Sequence, residues 1–111
     1  MAPVSDLQIV LVTAPDLDTA RALARAVLEA RLAACVNIVP QIESHYWWQG
    51  KIDSGNEVLM VIKTALAQIP KLENAILAKH PYDTAEFVVL SASGVTEKYW
   101  RWIEDSVSQN A

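Results

Sequence analysis

The spacing of apolar residues changes repeatedly along the chain, and each change marks the edge of an element. Leu7 to Thr13 (LQIVLVT) is a short apolar run rich in β-branched side chains, which predicts a strand. APDLDT follows, with Pro15, Asp16 and Asp18 as helix-start chemistry. From Thr19 the apolar positions Ala20, Leu23, Ala24, Val27, Leu28 and Leu32 recur at helical spacing, with Arg21, Arg25 and Glu29 on the wet side. Cys35 to Trp48 (CVNIVPQIESHYWW) alternates instead. Val36, Ile38, Ile42, Tyr46 and Trp48 share one parity; Asn37, Gln41, Glu43, His45 and Trp47 share the other. Pro40 interrupts this ladder and predicts an edge or a bulge.

QGKIDSGN reads as a turn and Glu57 to Thr64 (EVLMVIKT) as the returning strand. A second helix starts near Thr64, with Pro70 in its first turn and Ile69, Leu72, Ala75 and Ile76 as its stripe. It must stop before HPYDTAE, because a residue preceding proline is pushed out of the helical region. Glu86 to Ser91 (EFVVLS) predicts a fourth strand, Gly94 a turn, and TEKYWRWIEDSV a C-terminal helix capped by Thr96. The order predicts an α+β fold of the ferredoxin-like, split βαβ kind (βαββαβ): an antiparallel sheet with both main helices on one face, plus the tail helix. Nothing linker-like or repetitive divides residues 1–111, so a single domain is expected.

Composition sharpens this. Of 111 residues, 52% are hydrophobic and 20% charged, more apolar material than one small core hides. A net charge of −4, with Lys and Arg scattered, argues against nucleic acid as a partner. Cys35 is the one cysteine, so neither an intrachain disulfide nor a multi-cysteine zinc site is open to the chain, and it reads as a small buried hydrophobe. MAPVSDLQ has no signal-peptide pattern and no run approaches membrane-spanning length, so a cytoplasmic protein without membrane contact is expected.

Tyr46, Trp47 and Trp48 stand side by side before Gly50. Neighbouring side chains of a strand point to opposite faces, so Trp47 and Trp48 cannot share a core. A buried tryptophan is worth about 4–6 kcal/mol gross, too much to leave two exposed without reason. Trp48 shares parity with Val36, Ile38 and Ile42 and is assigned to the chain's own core, unless a bulge at Pro40 inverts the register; Trp47 is assigned to a neighbouring copy. The strand after Glu57 lacks clean alternation, and the second strand is over-long for one small domain. Both point to association of copies through an open sheet face and the arm, with Tyr46, Trp47 and Trp48 at the interface.

VTAPD at 12–16, RLAACVNIVP at 31–40, YWWQGKI at 46–52, EVLMVIKT at 57–64 and HPYDTAE at 80–86 together resemble the CutA family of divalent-cation-tolerance proteins. The resemblance implies a homotrimer of ferredoxin-like subunits, similar in shape to the trimeric PII signalling proteins. It also implies tolerance of copper and other divalent metals, with no enzyme activity and no organic cofactor. Some members are expected to hold copper through a cysteine in the first strand and two adjacent histidines before Pro-Tyr. Here those positions read Val12 and Lys79-His80, so only His80 matches and copper binding is expected to be weak.

The remaining candidates each carry two readings. His80 is a metal ligand facing a cleft, or a helix terminator bonded to backbone. Cys35 is soft enough for Cu(I) but inert if buried. Glu43 and His45 share a strand face and either chelate weakly or are solvated. Glu57, Lys63, Tyr82 and Glu86 flank apolar strands; in a trimer they line an intersubunit cleft or make interface salt bridges. No nucleophile arrangement or phosphate-binding glycine loop is present, so no catalytic residue is assigned. The alternative to a metal-tolerance trimer is a PII-like sensor taking a small anionic ligand or a partner protein in that cleft.

Overall fold

A computed structural model of the chain describes residues 6–108. The signal-peptide reading of residues 1–5 falls outside them. Strand β1 (Leu7–Ala14) leads into helix α1 (Leu17–Glu29), whose N-cap Asp16 accepts from the Thr19 N–H at 2.7 Å. Strands β2 (Cys35–Trp48) and β3 (Lys51–Ala65) form a long hairpin. A 3-10 turn at Leu66–Gln68 precedes α2 (Ile69–Lys79), and β4 (Val88–Ser91) and α3 (Glu97–Val107) complete the chain.

The sheet order is β2-β3-β1-β4 with every neighbouring pair antiparallel, the expected split βαβ topology. Even-numbered residues of β1 and β3 face the two main helices. Val10, Val12, Met60 and Ile62 are fully buried there against Leu23 and Val27 of α1 and Leu72 and Ile76 of α2. Each such side chain contributes about 1.5–3 kcal/mol by burial, so this layer holds the fold together.

The opposite face is treated unevenly. Leu7, at its start, packs with Val95 and Ile103, so α3 covers one end of that face, flanked by Tyr99 and Trp100. Beyond α3 the face is apolar and bare: Leu11, Leu59 and Val61 are half-buried, while Val39, Val88 and Leu90 are 40%, 44% and 47% exposed. The expected open apolar face is present, though shortened at one end by the tail helix.

Three local expectations are corrected. QGKIDSGN is not a long turn: Gln49 and Gly50, both at positive φ (50° and 77°), make the whole reversal, and Lys51–Asn56 continues as strand. Two successive left-handed residues match the strands' own twist, so pairing reaches Trp48 and Lys51 beside the turn. The hairpin therefore projects, and the molecule measures 45 × 26 × 23 Å. Second, Trp48 is not in the chain's core. A bulge between Val39 and Ile42 moves Ile42 opposite Glu57 instead of an even-numbered partner, so Tyr46 and Trp48 follow the open face and Trp47 the helix side. Both tryptophans lie on the projecting arm, 73% and 54% exposed for Trp47 and Trp48. Third, Cys35 is only half-buried, on the open face opposite Lys63 with its Sγ 3.8 Å from Asn37 Oδ1.

Candidate functional site

Pro81 ends α2 by forcing His80 into extended backbone (φ −74°, ψ 134°). The side chain then turns back onto the last residues of β1. His80 Nε2 lies 2.7 Å from the Thr13 carbonyl, and the Tyr82 N–H donates to Nδ1 at 3.1 Å. A carbonyl on one nitrogen and an amide donor on the other specify the neutral ring with its proton on Nε2. The ring also packs against Tyr82, centroids 4.8 Å apart.

Held this way, Tyr82 reaches the base of the hairpin arm, where its hydroxyl donates to Glu57 Oε2 at 3.0 Å. Burial, then that hydrogen bond and the Glu57 charge, with smaller effects of Tyr46 and Asp16, push the phenol up to about 12. Glu86 stands close enough that burial first, and the Glu57 charge second, raise its carboxyl above the ordinary value. Tyr46 leans in along the arm, its hydroxyl 3.8 Å from where a side chain on Gly55 would begin. Glu57, Tyr82 and Glu86 thus form one acidic corner where the arm leaves the sheet.

Lys63 does not join them. It lies on the same face of β3 but six residues further along, about 20 Å at about 3.3 Å per residue, opposite Ile9 and Cys35. Its Nζ rests over the Tyr99 ring, 5.9 Å from the centroid. Within one chain the four expected cleft residues are therefore split between two ends of the open face.

The residues present do not fit a metal centre within one chain. Both His80 nitrogens are engaged by backbone, and coordination would require one of those bonds to break. Cys35 is beside Lys63, and Val12 is fully buried in the helix-side core. His45 and Glu43 do share a face, with Nε2 and Oε2 2.7 Å apart, but as an exposed pair on the arm. Among the described residues no three His, Cys, Asp or Glu side chains gather as a metal site requires. An open groove of about 340 Å³ at the arm tip, lined by Trp48, Gln49, Lys51, Ile52 and Asp53, is separate from the corner.

Two contributors escaped the sequence reading. Thr13 acts through its carbonyl, which no side-chain pattern reveals. Asp16 was recognised as a helix start, but its charge also bears on Tyr82. No described helix is long and apolar enough to cross a membrane.

Comparison with known proteins places this geometry. Residues 8–106 match the family model of the CutA1 divalent ion tolerance protein. The divalent-cation tolerance protein CutA of Pectobacterium atrosepticum is 41% identical over 105 residues, covering 95% of this chain and 96% of that protein. Its Thermus thermophilus counterpart is 40% identical over 99 residues, covering 89% of this chain and 96% of that protein. Mouse protein CutA is 44% identical over 102 residues, 89% of this chain, but the match spans only 58% of the mouse protein's length. Among solved structures, CutA from Synechococcus elongatus superposes with a TM-score of 0.92 at 36% identity, covering 96% of this chain and 95% of that one. CutA1 from Oryza sativa gives 0.91 at 37% identity, covering 97% and 99%.

Proposed function

The chain belongs to the CutA1 divalent ion tolerance family, and from that premise we propose that it serves divalent-cation tolerance as a non-catalytic homotrimer. The observation that carries the assembly is the half-covered sheet. One face buries Val10, Val12, Met60 and Ile62 completely, whereas the other leaves Val39, Val88 and Leu90 in solvent beside an arm bearing Trp47, Trp48 and Ile52. An apolar face and arm of this extent fit burial against other copies. The number three comes from the family resemblance.

Copper or another divalent ion binds such an assembly weakly, since one chain supplies only His80 at the expected ligand positions and engages both of its nitrogens. The acidic corner also speaks against a small anionic ligand: Glu57 and Glu86 would repel it unless a neighbouring copy supplied cations. A cytoplasmic location is part of the same proposal; the rice relative carries the name "Protein CutA 1, chloroplastic", and cell fractionation with an antibody to this chain checks it.

Light scattering at micromolar concentration tests the assembly: a mass three times 12.2 kDa supports it and a monomer overturns it. Thermal shift with Cu(II), Zn(II) and Ni(II) against a nucleotide panel tests the ligand class. Small metal-dependent shifts support this reading. A strong nucleotide shift would replace it with a PII-like sensor.

A further inference from the structure

We propose that Lys63 of one copy closes the acidic corner formed by Glu57, Tyr82 and Glu86 of the next. The proposal rests on the reading that copies pack through the open sheet face, and adds the polarity of that packing. Lys63 and Glu57 both project from that face of β3, with the apolar Leu59 and Val61 between them. Each end carries charge that one chain leaves unanswered. Among the described residues Lys63 has no carboxylate partner, only the Tyr99 ring. Among the described residues Glu57 and Glu86 in turn have no ion-pair partner, and the charges that bear on the corner are those of Glu57 and Asp16.

When a second copy covers the apolar stretch, both ends lose water. An unpaired ammonium or carboxylate buried this way is strongly penalised, so the favoured arrangement sets the positive end of one copy on the negative end of another. A two-fold pair could meet that demand too, but in the homotrimer proposed above each contact is head-to-tail, closing into a ring in which the pairing runs from one copy's Lys63 to the next copy's corner. Two other cations near this face do not serve the corner within one chain. Arg101 faces Glu97 of its own helix at 3.7 Å, and Lys51 sits at the arm tip beyond the corner. The Tyr99 ring beneath Lys63 restrains its long side chain in advance.

The test is a charge swap in the full chain, with assembly followed by sedimentation velocity across a dilution series and folding by circular dichroism. Lys63→Glu and Glu57→Lys should each weaken assembly on the order of 30-fold or more, and the double variant should recover most of that loss. Single variants that assemble like the parent, or a double variant as weak as the singles combined, would overturn the pairing. Should Glu57→Lys not fold, a double-mutant cycle of Lys63→Gln with Glu86→Gln replaces it: clear coupling supports the pairing and coupling under about twofold overturns it. A parent that is itself monomeric at micromolar concentration removes the assembly reading beneath it. A parent that assembles without coupling removes only the pairing.

Discussion

The Tyr82 hydroxyl donates to Glu57 Oε2 at 3.0 Å, joining the loop after α2 to the base of the hairpin arm across 25 positions of sequence. Tyr82 is itself held by its own N–H on His80, and His80 by the Thr13 carbonyl. Loop, arm and first strand are thereby linked through one run of hydrogen bonds. It fixes where the arm departs.

Removing the phenolic hydroxyl tests that link. Tyr82→Phe should cost about 0.5–1.5 kcal/mol at neutral pH, the net worth of one partly exposed hydrogen bond. The phenol is pushed up from its ordinary 10 to about 12 in the folded chain. A raised folded value means the contribution is fully present below the unfolded value and lost as pH rises through the folded one. The parent's advantage over Tyr82→Phe should therefore hold up to about pH 10 and vanish towards pH 12 in urea unfolding. A gap unchanged across that range would show that the hydroxyl proton is not what stabilises the corner.

His80 should matter to stability without any metal. His80→Ala deprives the Thr13 carbonyl and the Tyr82 N–H of their partners, an expected loss of about 2–4 kcal/mol in chelator-treated protein. Residual copper binding, measured by isothermal titration, should be weak in the parent and weaker in the variant. A tight one-to-one copper site that survives His80→Ala would contradict this account.

The sequence disclosed the fold through its changes of pattern: Leu23, Val27, Leu72 and Ile76 at helical spacing and two apolar runs for the inner strands supply the core, but those runs alternate too weakly to show that Val10, Val12, Met60 and Ile62 are the residues that face the helices. It could not disclose the register of the arm. Alternation is carried along a strand only while pairing is regular, and the bulge after Val39 reverses it for everything beyond. Pro40 marked the place but not whether the ladder would invert. The corner was legible only in part, since Glu57, Tyr82 and Glu86 were named with Lys63. Proximity along one sheet face does not reveal which end of a strand a neighbour's loop will reach.

That reversal changes what tryptophan truncation should do. With both rings on the arm and exposed, neither Trp47→Ala nor Trp48→Ala should show the loss of about 3–5 kcal/mol that follows deletion of a core aromatic. Each should instead lower the melting temperature in a concentration-dependent way, by weakening assembly. Melting curves over a hundredfold range of concentration decide this. A concentration-independent drop in the Trp48 variant alone would restore it to the core.

A last prediction concerns the exit of α1. Leu32 N–H bonds to the Val27 carbonyl at 2.9 Å and Arg31 N–H to the Leu28 carbonyl at 3.0 Å, a Schellman closure that places Arg31 in the left-handed region at φ 57°. Glycine would hold that conformation without the roughly 1–2 kcal/mol a Cβ imposes. Arginine is compensated by reach: its Nη1 donates to the Ser106 carbonyl at 2.9 Å, while Gln68 Nε2 donates to Val107 O at 3.0 Å. Two remote side chains thus cap the C-terminal carbonyls of α3, and the guanidinium also complements that end of the helix dipole. Arg31→Ala keeps the strain and loses the bond, so it should cost about 0.5–1.5 kcal/mol. Arg31→Gly loses the bond but relieves the strain, against about 0.4–1 kcal/mol of added unfolded-chain freedom. The glycine variant should therefore be the more stable of the two in urea unfolding. If alanine proves the better replacement, backbone strain at Arg31 is not what the arginine offsets, and its hold on α3 must be explained by charge alone.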